Sequence, residues 1–264
     1  MSRTGSEESI INSYVVGTSE IKYKSSIESG ECNIEGIKMK VIYEDNHIIV
    51  VEKSPNIPSQ ADKTEDTDML TIIKEYLKEK YNKPGNVYLG LIHRLDRPVG
   101  GVMVFAKTSK AAARLSEQVR NKTFKKQYLV VVDGKLELNN GILEDYLLKN
   151  ERNNLSKVVK EGTKNSKFAS LDYEVLKYNE EINLSVLKIN LHTGRHHQIR
   201  VQLSSRNHSI YGDQKYGTRG RGKQIALWAY SLEIVHPITK EKMVFNTLPE
   251  INGTWKIIED IKII

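Results

Sequence analysis

Cysteine occurs once in the 264 residues, at Cys32, so the chain has neither an internal disulfide nor a multi-cysteine metal site. No apolar run approaches the length needed to span a bilayer. The first residues, MSRTGSEESI, are polar and have no apolar segment of the secretory type. The expectation from these absences is a soluble cytoplasmic protein. There is no internal repeat, and no low-complexity tract beyond the N-terminal stretch. The nearest approach to a nucleotide-binding loop is Gly217 followed by Gly222–Lys223. It fails because Gln224 stands where a Ser or Thr would hold magnesium, and no strand leads into it.

What the chain does contain is enough apolar material for a core, 39% of residues, beside 28% charged. Lys and Arg number 40 against 33 Asp and Glu, a net charge of +7. A basic balance favours polyanionic partners, nucleic acid first.

Residues 1–40 are rich in Ser, Glu, Gly and Asn and read as a flexible or loosely packed extension, or alternatively as short strands packed on the main domain. The globular pattern runs over 41–264. The stretch 41–53 reads as two strands about an Asp45–Asn46 turn. The period of 67–83 predicts an amphipathic helix with Leu70, Ile73 and Leu77 on one face, capped by Thr67 or Asp68 and stopped by Pro84–Gly85. Residues 87–96 begin as a strand, and 101–107 form another. A helix is expected over 109–121, with Ser109 as cap and Ala112, Leu115 and Val119 inward. Further strands are expected at 124–134, 168–178, 182–192, 226–237 and 242–249, and a helix at 195–207 with Ile199 and Leu203 inward. Strands outnumber helices and come mostly as hairpins. The expected fold class is α+β, with a mixed, largely antiparallel sheet flanked by helices.

Four segments carry candidate chemistry. HRLDRPVGG (93–101) lies between apolar strands and sets Asp96 between Arg94 and Arg97. A nearby guanidinium would keep the carboxylate ionised, as a nucleophile or base requires; a structural Asp–Arg pair is the plain alternative. LHTGRHHQIRVQL (191–203) ends a strand and starts a helix with Arg195, His196, His197, Gln198 and Arg200, suited to phosphate and RNA contacts. Its histidines match no zinc spacing. NKTFKKQYLVVVDG (121–134) sets Lys122, Lys125 and Lys126 before Tyr128, pairing charge for phosphates with a ring for an extruded base. YGDQKYGTRGRGKQ (211–224) reads as a mobile basic loop with Arg219, Arg221 and Lys223 facing substrate.

Together these segments resemble the RluA-like family of RNA pseudouridine synthases over roughly residues 41–250, in the right order. HRLDRPVGG is similar to that family's HRLDxxTSG motif, LHTGRHHQIRVQL to its TGRxHQIR motif, and KKQYLVVVDG to the strand bearing its tyrosine; YGDQKYG and HPITKE fall where the family has similar runs. The resemblance implies isomerisation of uridine in structured rRNA or tRNA, without cofactor or metal. It implies Asp96 as catalytic carboxylate, Arg200 as its partner with Arg195 second, and Tyr128 stacked on the base. Arg94, Arg97, Lys125, Lys126, Arg195, His197 and Gln198 are then expected to contact RNA, with Ile199 walling the uracil site. A monomer with no membrane partner is expected. Val99-Gly100-Gly101 departs from the usual Thr-Ser-Gly and removes two hydroxyls near Asp96. Two other readings follow from the same residues. One is a catalytically inactive RNA-binding protein of this fold. The other is a metal-dependent phosphodiesterase built on His93, Asp96 and the histidines at 192–197.

Overall fold

A computed structural model describes residues 31–34, 37–217 and 222–263. Among them, twelve strands form one sheet. In chain order these are β1 (Glu31–Ile34), β2 (Ile37–Glu44), β3 (Ile48–Lys53), β4 (Gly90–Leu91), β5 (Gly100–Ala106) and β6 (Lys125–Asp133). They continue as β7 (Asn140–Asn150), β8 (Leu155–Val159), β9 (Lys167–Asn179), β10 (Leu184–Leu191), β11 (Leu227–Val235) and β12 (Lys242–Asn246). The order across the sheet is β1-β2-β3-β5-β11-β6-β10-β9-β7-β8, with β12 beside β11 and β4 beside β5. β5 and β11 run parallel, and the other described pairs are antiparallel. The sheet is therefore mixed and largely antiparallel, as the alternating hairpins predicted.

Two helices cover opposite faces of its first half. Helix α1 (Met69–Lys80) is capped by Asp68, whose carboxylate accepts from the Leu70 and Thr71 amides. It buries Met69, Ile72, Ile73 and Leu77 against the face carrying Ile49, Val51, Met103 and Phe105. Each such fully buried aliphatic side chain contributes roughly 1.5–3 kcal/mol. Helix α2 (Ser109–Arg120) lies on the other face, with Ala111 and Leu115 against Ile48, Val50, Val102 and Val104. The period-two alternation of β3 and β5 feeds both layers. The cap of α2 is Thr108, not Ser109, and Val119 points outward. Leu115 alone of the three expected inward residues is fully buried; Ala112 is half-buried, and Ala111 takes the inner place. Ala111 and Leu115 are four residues apart and so share the inner face of the helix. Helix α3 (Gln198–Ser204) follows β10 and buries Ile199 and Leu203 in the same core as α1. No helix among the described residues is long and apolar enough to cross a membrane.

The sheet starts before Val41, because β1 and the first half of β2 pair along residues 31–40. Of the expected extension, residues 1–30 lie outside the described residues.

The join between β5 and β11 positions the site. Gly101 pairs with Ala229, which pairs with Tyr128, so the three share one row across β5, β11 and β6. Strands about 4.8 Å apart put the end of the 93–99 loop within roughly 10 Å of the Tyr128 backbone. Gly101 adopts φ 125°, and a Cβ there would lie 2.2 Å from the Ala229 carbonyl oxygen. Only glycine fits that approach. At Gly100 a Cβ would lie 2.3 Å from the Trp228 ring, whose Nε1 donates to Thr247. The departure at position 100 is thus a packing exchange, in which an indole fills the place of the absent side chain. Gly100→Ser is expected to destabilise the fold by about 1–3 kcal/mol, read from the midpoint of urea unfolding. An unchanged midpoint would mean the indole moves aside freely.

Candidate active site

The loop carrying Asp96 is tied down on three sides. Ser59, buried, accepts from the Leu95 amide at 3.1 Å and donates to the Leu95 carbonyl at 2.8 Å. Lys53, fully buried at the end of β3, donates to the carbonyls of Ser54, Ile57 and Arg97 at 3.0, 2.7 and 3.0 Å. Burial, helped by Arg97 and opposed by Asp96, pushes its ammonium down to about 7. Gln224 donates to the Pro98 carbonyl, and Asn56 holds the Gln224 amide oxygen at 3.0 Å. The loop itself is a turn, with the Val99 amide donating to the Asp96 carbonyl at 2.9 Å.

The Asp96 side chain, 30% exposed, turns to Arg200, whose Nη1 donates to its Oδ2 at 3.1 Å. Arg200 is buried on α3, and its other two contacts go to Asp213. Nε donates to Oδ2 at 2.8 Å and Nη2 to Oδ1 at 2.6 Å. A guanidinium forked onto one carboxylate and extended to a second has its orientation set in both directions. Burial would raise the Asp213 carboxyl. The hydrogen bonds and charge of Arg200, with the amides of Lys215 and Tyr216, reverse that and hold it below the usual carboxylate range. His197 Nε2 lies 3.6 Å from Asp96 Oδ2.

Tyr128 is buried on β6, in the core that includes Ile199 and Leu203. Burial and then the charge of Asp96 push its phenol well above the ordinary range, so its hydroxyl keeps its proton at neutral pH. Lys126 lies on the same face by strand alternation. Its ammonium lies 3.3 Å from where a Cβ of Gly194 would be, and it has no acidic partner among the described residues. Burial lowers its pKa. One oriented carboxylate, a fixed cation, a neutral phenol on a buried ring and a free ammonium thus converge beside the loop.

Several expected contacts are engaged elsewhere. Lys125 alternates to the opposite face from Tyr128 and pairs with Glu233 at 3.0 Å. The Arg97 guanidinium turns from Asp96 to Asp66, Thr64 and the Asn56 carbonyl, and so clamps the 56–66 loop. Neither arginine flanking Asp96 in sequence is its partner. Gln198 is buried, and both ends of its amide are used within the protein, by Thr193 and the Arg195 amide on one side and by Ser170 and Gln202 on the other. It builds the turn and has no group left for RNA. Arg195 donates Nε to the Phe168 carbonyl at 2.7 Å and is otherwise exposed. Arg94 is exposed, with no ion pair among the described residues. Of the expected basic loop, Arg219 and Arg221 lie outside the described residues, and Lys223 is exposed. The preceding YGDQKYG half is an anchor, since Asp213 is buried and Tyr216 hydrogen-bonded. Asp213, Tyr216, Ser59 and Lys53 were not singled out by sequence reasoning. An acidic residue inside an otherwise basic loop, at Asp213, was the available signal.

The metal reading finds no support among the described residues, which contain no group of three His, Cys, Asp or Glu that could hold an ion. His93 is turned inward and accepts from the Val104 amide at 3.2 Å through Nε2, edge-on to Phe124.

The chain is similar to known proteins in sequence and in fold. Residues 47–205 match the family model for RNA pseudouridylate synthase. An uncharacterised RNA pseudouridine synthase of Bacillus subtilis, YhcT, is 30% identical over 242 residues, covering 90% of this chain and 78% of its own length. Ribosomal large subunit pseudouridine synthase D of Nitrosomonas europaea is 30% identical over 229 residues, covering 82% of this chain and 64% of its own. Among solved structures, human RNA pseudouridylate synthase domain containing 1 shares the fold, with a TM-score of 0.66 at 20% identity over 87% of this chain and 89% of its own.

Proposed function

The chain belongs to the RNA pseudouridylate synthase family and isomerises uridine in RNA, and from that premise we propose that Asp96 is its catalytic carboxylate, working with Arg200 and Tyr128 on a uridine extruded from structured rRNA or tRNA. The observation that carries the reading is the 3.1 Å contact of Arg200 with an Asp96 carboxylate left partly open to solvent. A buried arginine could have consumed that carboxylate in a closed pair. Here Asp213 takes two of its three nitrogens, Nε and Nη2, and Nη1 is left to donate to Asp96.

Pseudouridylation breaks the bond from C1′ to N1, turns the uracil, forms a bond from C1′ to C5, releases the C5 proton to solvent and protonates N1, so that the product is an isomer of the substrate. No electrons are exchanged, so no redox cofactor is required. Asp96 serves as nucleophile at C1′, or as base at the sugar in a glycal route. Arg200 keeps it ionised and aimed. Extruding the base costs a few kcal/mol, which phosphate contacts offset. Lys126, with its free ammonium on the Tyr128 face, and exposed Arg94 are the residues best supported for those contacts. His197 and Ile199 line the pocket wall, and residues 41–264 with the strands before them act as one catalytic domain. The place of action is the cytoplasm, and the protein acts as a monomer.

Tyr128 stacks on the uracil, and its neutral phenol assists departure of the C5 proton. Tyr128→Phe keeps the ring and loses the hydroxyl. RNA tritiated at carbon 5 of uridine should release tritium about a hundredfold more slowly with this variant, at nearly unchanged KM. Release at the wild-type rate would remove the hydroxyl from the chemistry.

A further inference from the structure

Tyr216 lies behind the catalytic pair. The Arg200 guanidinium carbon is 5.2 Å from its ring centre, and the His197 ring meets it edge-on at 5.4 Å. Its phenol oxygen accepts from the Ser156 backbone amide, on β8, at 2.7 Å, and lies 2.7 Å from His197 Nδ1. A phenol has one proton to donate, and a backbone N–H cannot receive it. Of the two groups at that oxygen, only His197 Nδ1 is able to accept. An imidazole that accepts at Nδ1 carries its own hydrogen on Nε2. Nε2 is the atom 3.6 Å from Asp96 Oδ2. That distance is an ion–dipole contact, longer than a full hydrogen bond. The opposite tautomer would aim a lone pair at the carboxylate.

Two further observations support a built arrangement. His197 takes φ 53°, a left-handed conformation uncommon for a residue with a side chain, and such strain persists where surrounding structure imposes it. Ser156 is used twice, since its hydroxyl also meets His196 Nδ1 at 2.9 Å, and the His196 ring lies 3.7 Å from that of His197. Burial, opposed by Asp96 and helped by Arg200, His196 and Lys215, pushes His197 down to about 3, so the ring is neutral at physiological pH.

We propose that Tyr216 is a positioning residue, whose hydroxyl fixes His197 as the Nε2–H tautomer so that Asp96 faces a second N–H besides that of Arg200. This rests on Asp96 being the catalytic carboxylate. The β7–β8 hairpin, through the Ser156 amide, is thereby connected to the reacting oxygen by two hydrogen bonds and one ion–dipole contact.

The test uses the full chain labelled with ¹⁵N at histidine. In the wild-type protein, His197 should show an unprotonated Nδ1 and a protonated Nε2. A protonated Nδ1 would overturn the proposal, whether or not any variant folds. In Tyr216→Phe, single-turnover conversion of uridine RNA should fall about tenfold with KM for RNA unchanged, and the His197 signals should move toward the other tautomer. Unmoved signals, or a loss seen only in KM, would also overturn it. If the wild-type protein forms no pseudouridine, the reading of Asp96 fails instead, and the tautomer measurement is unaffected by that failure.

Discussion

Asp96→Asn is expected to stop pseudouridine formation, lowering single-turnover conversion by about four orders of magnitude or more. Asparagine keeps the size of the side chain and can keep a contact with Arg200 Nη1, now 3.1 Å from the carboxylate. What it loses is the negative oxygen. A neutral carboxamide is neither a nucleophile at a sugar carbon nor a base of useful strength. Folding should survive, because the loop is held by Ser59, Lys53 and Gln224, and these bonds go to main-chain atoms. Removing a negative charge from a basic pocket should leave RNA affinity unchanged or slightly raised. Retained turnover in this variant would place the reacting oxygen elsewhere. Lost RNA binding would mean that Asp96 shapes the pocket instead of reacting in it.

Asp213→Ala should have the largest effect on stability. Arg200 is buried, with Asp213 taking Nε and Nη2 and Asp96 only Nη1. Deleting Asp213 leaves the desolvated guanidinium with only the partly exposed Asp96 as partner, at a cost of about 3–5 kcal/mol. In a chain of this length the thermal midpoint should fall by about 10 °C. Conversion should also fall at temperatures where the variant is folded, because the guanidinium is no longer fixed from behind. The pH dependence has a definite sign. The folded carboxyl sits below its unfolded value, so its stabilisation is present above roughly pH 4 and is lost as pH falls through the folded value. Wild-type stability should therefore decline below about pH 4 more steeply than that of Asp213→Ala. Equal midpoints for the two proteins would show that Arg200 has another source of compensation.

The residues that sequence reasoning found are those whose roles are written locally. HRLD and TGRHHQIR are contiguous runs, and each places its polar residue at the end of an apolar strand. Asp96 was legible for that reason, whereas the roles of Arg200 and Tyr128 came only from the family resemblance; the structure sets Arg200 Nη1 3.1 Å from the Asp96 carboxylate, and Tyr128 lies in the row of Gly101, where the loop ends. The partner of Arg200 was not legible. Asp213 lies 13 residues away in a loop whose net charge is basic, and only tertiary packing buries it. Lys53 was hidden for a related reason. A lysine at a strand end reads as solvated, yet three main-chain carbonyls from two loops close around it. Lys125 was read with Lys126 as one basic patch before a tyrosine, whereas a strand sends alternate side chains to opposite faces and Lys125 pairs with Glu233. Strands β7 and β8 went unpredicted because their exposed faces are lined with Lys, Glu and Asn. Only Leu143 and Leu147 on β7 and Ser156 on β8 are buried, too few for an apolar period to show.

The most direct test takes purified protein and uridine-containing rRNA or tRNA in chelator, without added cofactor, and digests the RNA to nucleosides for chromatography. Pseudouridine should accumulate at the expense of uridine with the strand intact. An RNA that returns only uridine, or one that is cut, would contradict an isomerase built on the Asp96 carboxylate.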